Sequence, residues 1–369
     1  MTLDLSQQQR QKLTRLAQAL IDQDAAKVIV APQRPGTGHW FGGGNMVQDS
    51  SGNLWVVGRF RNHGDSRTGL GKGERGLELA IFRSRDKGES FEKIVQLSKS
   101  DLNVGTNEVL SIEGTALRFT DRGVELYLST EKSGVAYPDC VKSFLKPGTG
   151  VWTVDRICAD SIETIPQSPV ETIVSSDDPQ FVQVKDPFLF EHDGKANLLF
   201  CTHPFCWSSS NTGYVSIAPD SSIGNDACFD FFPRGFTWDV AMTRGTAVMP
   251  VPKIGEFAGS DLALFFYDGG ECVRDMDEHK SAVSRPRGYS CEELGGVAAV
   301  SCSDLRDIDR LSVVEPMFIS PHGTGCSRYV DVLTTDEGLY ATWQQSQDDH
   351  SQPLVMNFLS TQRLQEILQ

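Results

Sequence analysis

The chain has 369 residues, 39% of them hydrophobic, which is enough for a large core in one or two domains. Its formal charge of -15 at neutral pH argues against a nucleic-acid duplex as partner, because such binding is driven by Lys and Arg displacing counterions. No run approaches the ~18 apolar residues of a spanning helix, so no membrane partner is expected.

In "MTLDLSQQQRQKLTRLAQALIDQD", Leu5, Leu13, Leu16, Leu20 and Ile21 recur at helical spacing among polar residues. This predicts a helix within residues 1–26, and the absence of a basic-then-apolar leader pattern makes a cytoplasmic protein the expectation. Nine cysteines lie between Cys140 and Cys326 with no CxxC pair, which suits reduced thiols better than a disulfide frame or a zinc ribbon.

Residues 27–360 carry an internal repeat. Five segments share an apolar strand, a tight Asp/Gly turn and a second apolar strand: "NMVQDSSGNLWVVGRFR" from Asn45, "EGTALRFTDRGVELYLSTE" from Glu113, "KDPFLFEHDGKANLLFCTH" from Lys185, "RGTAVMPVPKIGEFAGSDLALFFYDGG" from Arg244 and "SRYVDVLTTDEGLYATWQQS" from Ser327. Matching positions in the second strands, Trp55, Leu126, Leu198, Leu264 and Tyr340, are 66 to 76 residues apart, so each unit has room for two more strands. Evenly spaced hairpins with little helix between them predict an all-β fold, a five-bladed β-propeller. "AAKVIVAP" near Val28 is expected to complete the fifth blade beside "PLVMNFLS", closing the ring and removing an exposed edge. Residues 361–369 are expected to form a short C-terminal helix.

Between blade strands, "SRDKGESF" from Ser84 to Phe91 fits the pattern Ser-x-Asp-x-Gly-x-Ser/Thr-aromatic and resembles the Asp-box turn of sialidases and related propellers. Asp86 is suited to bonding turn amides, Gly88 to positive φ and Phe91 to packing between blades, so its expected role is structural.

The innermost strands of a propeller line its channel, and the second strands return to the same end. The sequence therefore predicts Asn45, Glu113, Asp186, Arg244 and Arg328 with Tyr329 at first-strand starts, and Arg59, Arg61, Glu131, His203, Asp268, Glu271 and Gln345 near second-strand ends. In "KDPFLF" the Asp-Pro pair reads as a strand entrance, with Phe188 and Phe190 on one face and Leu189 on the other. Asp186 alone would suit a turn, but all five starts are polar, and charge there must be paired or solvated, which points to a ligand site or to a channel of mutual salt bridges.

Two carboxylates in one cavity with pKa values pushed apart are what glycosidic cleavage needs, and Asp186 and Glu113 are the leading candidates, with Glu131 and Asp268 behind them. Arg59, Arg61, Arg244 and Arg328 are candidates either to anchor a substrate carboxylate, sulfate or phosphate, or to hold the acids. Trp40, in "GTGHWFGGGN", is placed to stack on a sugar or to cover the hub, and Asn45, His203 and Tyr329 complete the predicted binding set. His203 has no second histidine at ligand spacing, so neither a metal nor a cofactor is expected. "GLGKGERG" at Gly69 precedes a strand and lacks GK[ST], which reads as a loop rather than a nucleotide site.

The five repeats, Lys-Asp-Pro-Phe at Asp186 and "LFFYDGG" at Tyr267 resemble the five-bladed glycoside hydrolases of the arabinanase, levansucrase and invertase type, and the mannoside phosphorylases on the same scaffold. The resemblance implies an exo-acting glycosidase of carbohydrate metabolism taking a small or oligosaccharide substrate, with an Asp from the first blade, an Asp in an Arg/Lys-Asp-Pro context and a Glu acid from a later blade. Here the first-blade position is Asn45, and a neutral amide neither attacks an anomeric carbon nor takes a proton from water. Sialidase-like chemistry through Tyr329 beside Arg328, a lyase, cyclase or isomerase, and a non-catalytic binding propeller remain alternatives.

Overall fold

Five antiparallel sheets surround one channel in a computed structural model that describes residues 3–61, 76–145, 148–203, 209–270 and 293–369. Glu271 and nearly all of the Gly69 loop lie outside the described residues. Blade 1 sets β2 (Trp40–Gly42) and β3 (Met46–Gln48) along β4 (Leu54–Arg61), followed by β5 (Glu78–Ser84) and β6 (Glu92–Ser98). Blade 2 is β7 (Val109–Thr120), β8 (Gly123–Lys132), β9 (Val151–Ala159) and β10 (Val170–Val174). Blade 3 has β11 (Gln183–His192), β12 (Lys195–His203) and β13 (Asn211–Ile217), with bridges Tyr214↔Cys228 and Ile217↔Ile223 standing in for a fourth strand. Blade 4 is β14 (Met242–Pro250), β15 (Leu262–Gly270), β16 (Leu294–Ser301) and β17 (Ile308–Arg310).

Blade 5 joins the two ends of the chain. Its β18 (Ser327–Thr335), β19 (Gly338–Gln345) and β20 (Leu354–Ser360) are completed by β1 (Lys27–Val30), with Val28 opposite Val355 as expected from the repeat. This pairing makes unrolling the ring cost a strand ladder.

Each sheet is sandwiched between two others, so its second strand is buried on both faces. Val57 and Leu79 pack with Leu117 and Leu126 between blades 1 and 2, and Tyr127 with Leu198 and Phe200 between 2 and 3. Phe188 and Phe190 meet Phe265 and Tyr267 between 3 and 4, while Leu189 faces the other way, as the alternation predicts. Leu264 and Trp343 join 4 to 5, and Val56 and Met356 join 5 to 1. Full burial of each such side chain contributes about 1.5–3 kcal/mol. Helix α1 (Gln7–Leu20), started by a Ser6–Gln9 capping box, lays Leu13, Leu16 and Leu20 on the seam of blades 4 and 5 beside Leu364 and Leu368 of α2 (Thr361–Leu368). Among the described residues no helix is long and apolar enough to cross a membrane, and the six described cysteines are free.

The turn between β5 and β6 has the predicted contacts. Asp86 Oδ1 accepts from the Ser90 N–H at 2.9 Å, Gly88 holds φ 91°, and Phe91 packs at the seam of blades 5 and 1.

One feature repeats in every blade and positions the site. Between Ile112 and Thr115 β7 advances three residues while β8 moves two, from Thr130 to Leu128. The same single extra residue occurs in β11 between Lys185 and Phe188, in β14 between Gly245 and Ala247, in β18 between Arg328 and Asp331, and in blade 1 between Gly42 and Met46. Each is a β-bulge, which bends the strand and re-aims a side chain. Arg328 and Tyr329, second and third in β18, and Arg244, third in β14, stand close to the strand starts expected of them, whereas Glu113 and Asp186 lie further inside β7 and β11, and all five are at or beside the bulges. "KDPFLF" is therefore no entrance: β11 begins at Gln183, and Pro187 is tolerated mid-strand because a bulge position needs no ladder donor.

Candidate functional site

The five bulges converge. Gly43, Gly44 and Asn45 of blade 1, Gly114 and Thr115 of blade 2, Asp186 and Pro187 of blade 3, Gly245 and Thr246 of blade 4, and Tyr329 of blade 5 line one pocket in the channel. Close approach requires glycine at two of these points. A Cβ on Gly114 would stand 2.5 Å from Asp186 Cα, and one on Gly43 would stand 1.6 Å from Arg59 Nη1. Asp186 and Tyr329 themselves hold φ of 53° and 54°, the left-handed region that Asp visits readily and a bulky Tyr rarely, and such strain concentrates at functional sites.

A bulge frees backbone donors from the ladder, and each must find another acceptor. Here the neighbouring blade supplies it. Asp331 Oδ2 accepts the Met46 N–H at 2.7 Å, and Asn45 brackets Leu117, accepting its N–H at 2.7 Å and donating to its carbonyl at 2.9 Å. Asp186 Oδ1 accepts the Gly114 N–H at 2.8 Å while its own N–H donates to Ser129 Oγ at 2.9 Å. Thr212 Oγ1 accepts the Gly245 N–H at 2.7 Å, and Asp268 Oδ1 accepts the Tyr329 N–H at 3.1 Å. The amide of Asn45, predicted to bind substrate, is thus occupied as an inter-blade latch.

On this frame sits a buried lattice of charge. Arg59 Nη2 donates to Glu113 Oε2 at 2.7 Å and to the Tyr329 hydroxyl at 3.1 Å. Arg244 bonds Asp268 Oδ2 through Nη2 at 2.7 Å and lies 3.4 Å from Asp186 Oδ2 and 3.5 Å from Glu293 Oε1. Arg328 pairs with Glu293, and Lys185 Nζ stands 3.7 Å from Asp186 Oδ2. Arg59 also lies 4.5 Å from the Trp40 ring and 4.9 Å from the Tyr329 ring, with Arg244 4.1 Å from the latter, so Trp40, Arg59, Tyr329 and Arg244 form one cation–π set. Arg61 joins it 5.6 Å from Trp40. Arg59, Arg244 and Arg328 hold the acids, one of the two roles their sequence positions left open.

Burial would raise every carboxyl here, and the local cations decide which stay charged. Lys185, Arg244 and Arg59 overcome burial at Asp186 and hold it well below the ordinary carboxylate range. Arg59 and Lys185 do the same for Glu113, and Arg328 and Arg244 for Glu293. At Asp268 burial wins, assisted by Glu293, and the group is pushed up to about 6 despite Arg244. Burial pushes the Tyr329 phenol up to about 12. His203 is pushed down to about 3 by burial and then by Lys185, which keeps the ring neutral, and its Nδ1, 2.8 Å from the Ser209 carbonyl, carries the ring proton. Glu131 is fully buried and accepts the Gly150 N–H at 2.8 Å; of the four candidate acids only Asp186 lines the pocket itself, with Glu113 next to the lining residue Gly114 and held on Arg59.

Three members escaped the sequence reading. Lys185 precedes Asp186 in "KDPFLF", and nothing in the sequence marks it as a partner of the acids. Glu293 immediately precedes the third strand of blade 4, at the end where the second strand finishes, a position the blade geometry allows for. Asp331 lies one step past the fifth bulge, and burial pushes it up to about 7. Its carboxyl is neutral in the fold below about 7 and ionised in the unfolded chain above about 4, so stability falls as pH rises through that window. Asp331→Asn keeps an acceptor for Met46 and should stabilise the protein by about 1–2 kcal/mol at pH 8, a gain that disappears by pH 4, as urea denaturation at the two pH values would show.

With this geometry the fold finds parallels among solved structures. An α-L-arabinofuranosidase from Lactobacillus brevis superposes with TM-score 0.55 at 11% identity, over 89% of this chain and 92% of that one. The chain has the propeller fold of such enzymes. An endo-arabinase from Bacteroides thetaiotaomicron gives TM-score 0.52 at 11% identity over 90% and 97% of the two chains. The β-1,2-mannobiose phosphorylase from Listeria innocua, in complex with β-1,2-mannobiose, gives TM-score 0.52 at 12% identity over 94% and 93%. No protein-family model and no curated protein sequence matches the chain.

Proposed function

We propose that the protein is a carbohydrate-active enzyme that cleaves a glycosidic bond of a small sugar where the five bulges meet, with Asp186 and Glu113 as the reacting carboxylates. The observation that carries this is the pairing of two acids from adjacent blades around Arg59 and Tyr329, on a scaffold shared with an arabinofuranosidase and a mannobiose phosphorylase. Glu113 is the most open of the four paired carboxylates, its side chain 15% exposed against 4% for Asp186, 3% for Glu293 and 1% for Asp268. Asp268 and Glu293 act as positioning groups, because Arg244, Arg328 and the Tyr329 N–H occupy them.

The roles follow from charge. Asp186, ionised and beside the Tyr329 hydroxyl at 3.5 Å, is the nucleophile or base. Glu113 is the proton donor: sugar hydroxyls that draw Arg59 away leave it buried without its main counter-charge, and burial then raises its pKa. We take the attack to be at a chain end, since the bulges meet at one point. Catalysis should strengthen toward acid pH, and Glu113→Gln should flatten that limb while lowering kcat/KM by about 100-fold or more on activated aryl glycosides.

The test is a panel of aryl furanosides, pyranosides, uronides and sialosides, each with and without inorganic phosphate, assayed with the wild type and Glu113→Gln. Release of aryl alcohol by the wild type alone supports the assignment, and dependence on phosphate makes the reaction a phosphorolysis. Turnover undiminished in Glu113→Gln removes that residue from the chemistry. A second reading is favoured by one observation: both acids are ionised in the free protein, and among the described residues blade 1 lines the pocket with Gly43, Gly44 and Asn45 and with no acid. Two bases without an acid suit proton abstraction, as in a lyase or isomerase, and a folded protein silent on the whole panel would favour it.

A further inference from the structure

At the opposite end of the propeller, the β11–β12 hairpin of blade 3 meets the β14–β15 turn of blade 4. His192 closes β11, Asp261 precedes β15 and Cys302 follows β16, and one ligating atom from each lies within 4.8 Å of the other two. About six strand residues separate His192 from Asp186, on the order of 20 Å, so this cluster is not part of the carboxylate site.

We propose that His192, Asp261 and Cys302 form a site for a divalent transition metal of the zinc class that clamps blade 3 to blade 4. The donor set is one imidazole, one carboxylate and one thiolate, which suits zinc or cobalt and not the oxygen-seeking calcium or magnesium. The ligands are held in place by their surroundings. Asp261 Oδ2 accepts from Ser301 Oγ at 2.9 Å and from the Ser303 N–H at 3.0 Å, which turns Oδ1 toward His192 Nε2, 3.4 Å away. The Cys302 N–H donates to the Asp261 carbonyl at 2.8 Å, so these two ligands share one backbone frame. The His192 ring lies parallel to Phe190, at 5° and 6.0 Å. Such outer-sphere support is what fixes metal ligands.

Bond lengths of about 2.0–2.3 Å place tetrahedral ligand atoms roughly 3.3–3.8 Å apart. The His192–Asp261 separation already has that value, and the Cys302 sulfur, within 4.8 Å of both, has at most about 1.5 Å to close. The fourth position belongs to water or to Asp193, whose Oδ2 stands 3.5 Å from the same His192 nitrogen. A plain His–Asp ion pair would need no sulfur, and that difference makes the site testable.

The experiment is a cobalt(II) titration of the full chain, kept reduced, followed by absorbance and then by displacement with zinc. The expected result is a near-ultraviolet sulfur-to-cobalt band that saturates at one equivalent, is erased by zinc, and is absent in Cys302→Ser. His192→Gln should weaken binding by at least ~10-fold. Zinc should raise the melting temperature of the wild type and leave that of Cys302→Ser and His192→Gln unchanged, a readout that holds if either variant is less stable at the outset. No band at one equivalent, or the same band in Cys302→Ser, would overturn the site.

Discussion

On the proposed assignment, Asp186→Asn should lower the turnover of an aryl glycoside by about 10²–10⁴ while leaving the propeller folded. The substitution is chosen for the backbone. Residue 186 holds φ 53°, a conformation Asn adopts as readily as Asp, and the amide oxygen can still accept the Gly114 N–H. What disappears is the charge that Lys185, Arg244 and Arg59 converge on, and with it the nucleophile or base. Gly114→Ala should reach the same outcome from the other side, since its Cβ would stand 2.6 Å from Asp186 Oδ1 and displace a correctly charged carboxylate. Steady-state kinetics with circular dichroism on each variant are the check. Near-normal turnover in a folded Asp186→Asn protein would move the chemistry elsewhere, Glu113 and Tyr329 being the remaining groups on Arg59.

The repeat was legible because a hairpin leaves local marks: Asp49 to Asn53, Asp121 to Gly123 and Asp193 to Gly194 are turn chemistry between apolar runs. Ring closure through β1 was legible for the same reason, since "AAKVIVAP" is a strand without a hairpin partner. The bulges were not. A bulge is one extra residue in a pairing register, and register exists only when both strands are in place, so Asp-Pro at residue 186 looked like an entrance. In hindsight four of the five bulges carry Gly or Pro beside the site residue, at Gly44, Gly114, Pro187 and Gly245, whereas Tyr329 carries none. The charge pairs were half legible. Blade position brought Glu113, Asp186, Arg59, Arg244 and Arg328 to one end, but which arginine neutralises which acid depends on side-chain reach across blades. Glu131 illustrates the cost: it shares a strand end with the others, yet alternation turns it to the Gly150 backbone.

Arg244→Met should be the most destabilising change in the site, by about 3–5 kcal/mol near pH 8, because it leaves buried acids without their shared partner. Arg244 is 3% exposed and touches Asp186, Asp268 and Glu293 at once, and Met retains much of its apolar bulk against Tyr329. Asp268 responds most. Its folded pKa already stands at about 6, above the ordinary 3.8, and losing Arg244 drives it higher. A carboxyl raised in the fold binds its proton more tightly there than in the unfolded chain, so stability falls as pH rises from about 4 through the folded pKa. The deficit of Arg244→Met relative to wild type should therefore be largest above pH 7 and shrink toward pH 4, where Asp268 is neutral in both proteins. Urea denaturation at pH 5 and pH 8 separates the causes. A deficit that is the same at both would assign the role of Arg244 to packing on the Tyr329 ring, 4.1 Å away, and not to charge. A deficit that grows with pH would make Arg244 the group that allows three carboxylates to share one dry site, which is the condition for Asp186 to stay ionised where a sugar would meet it.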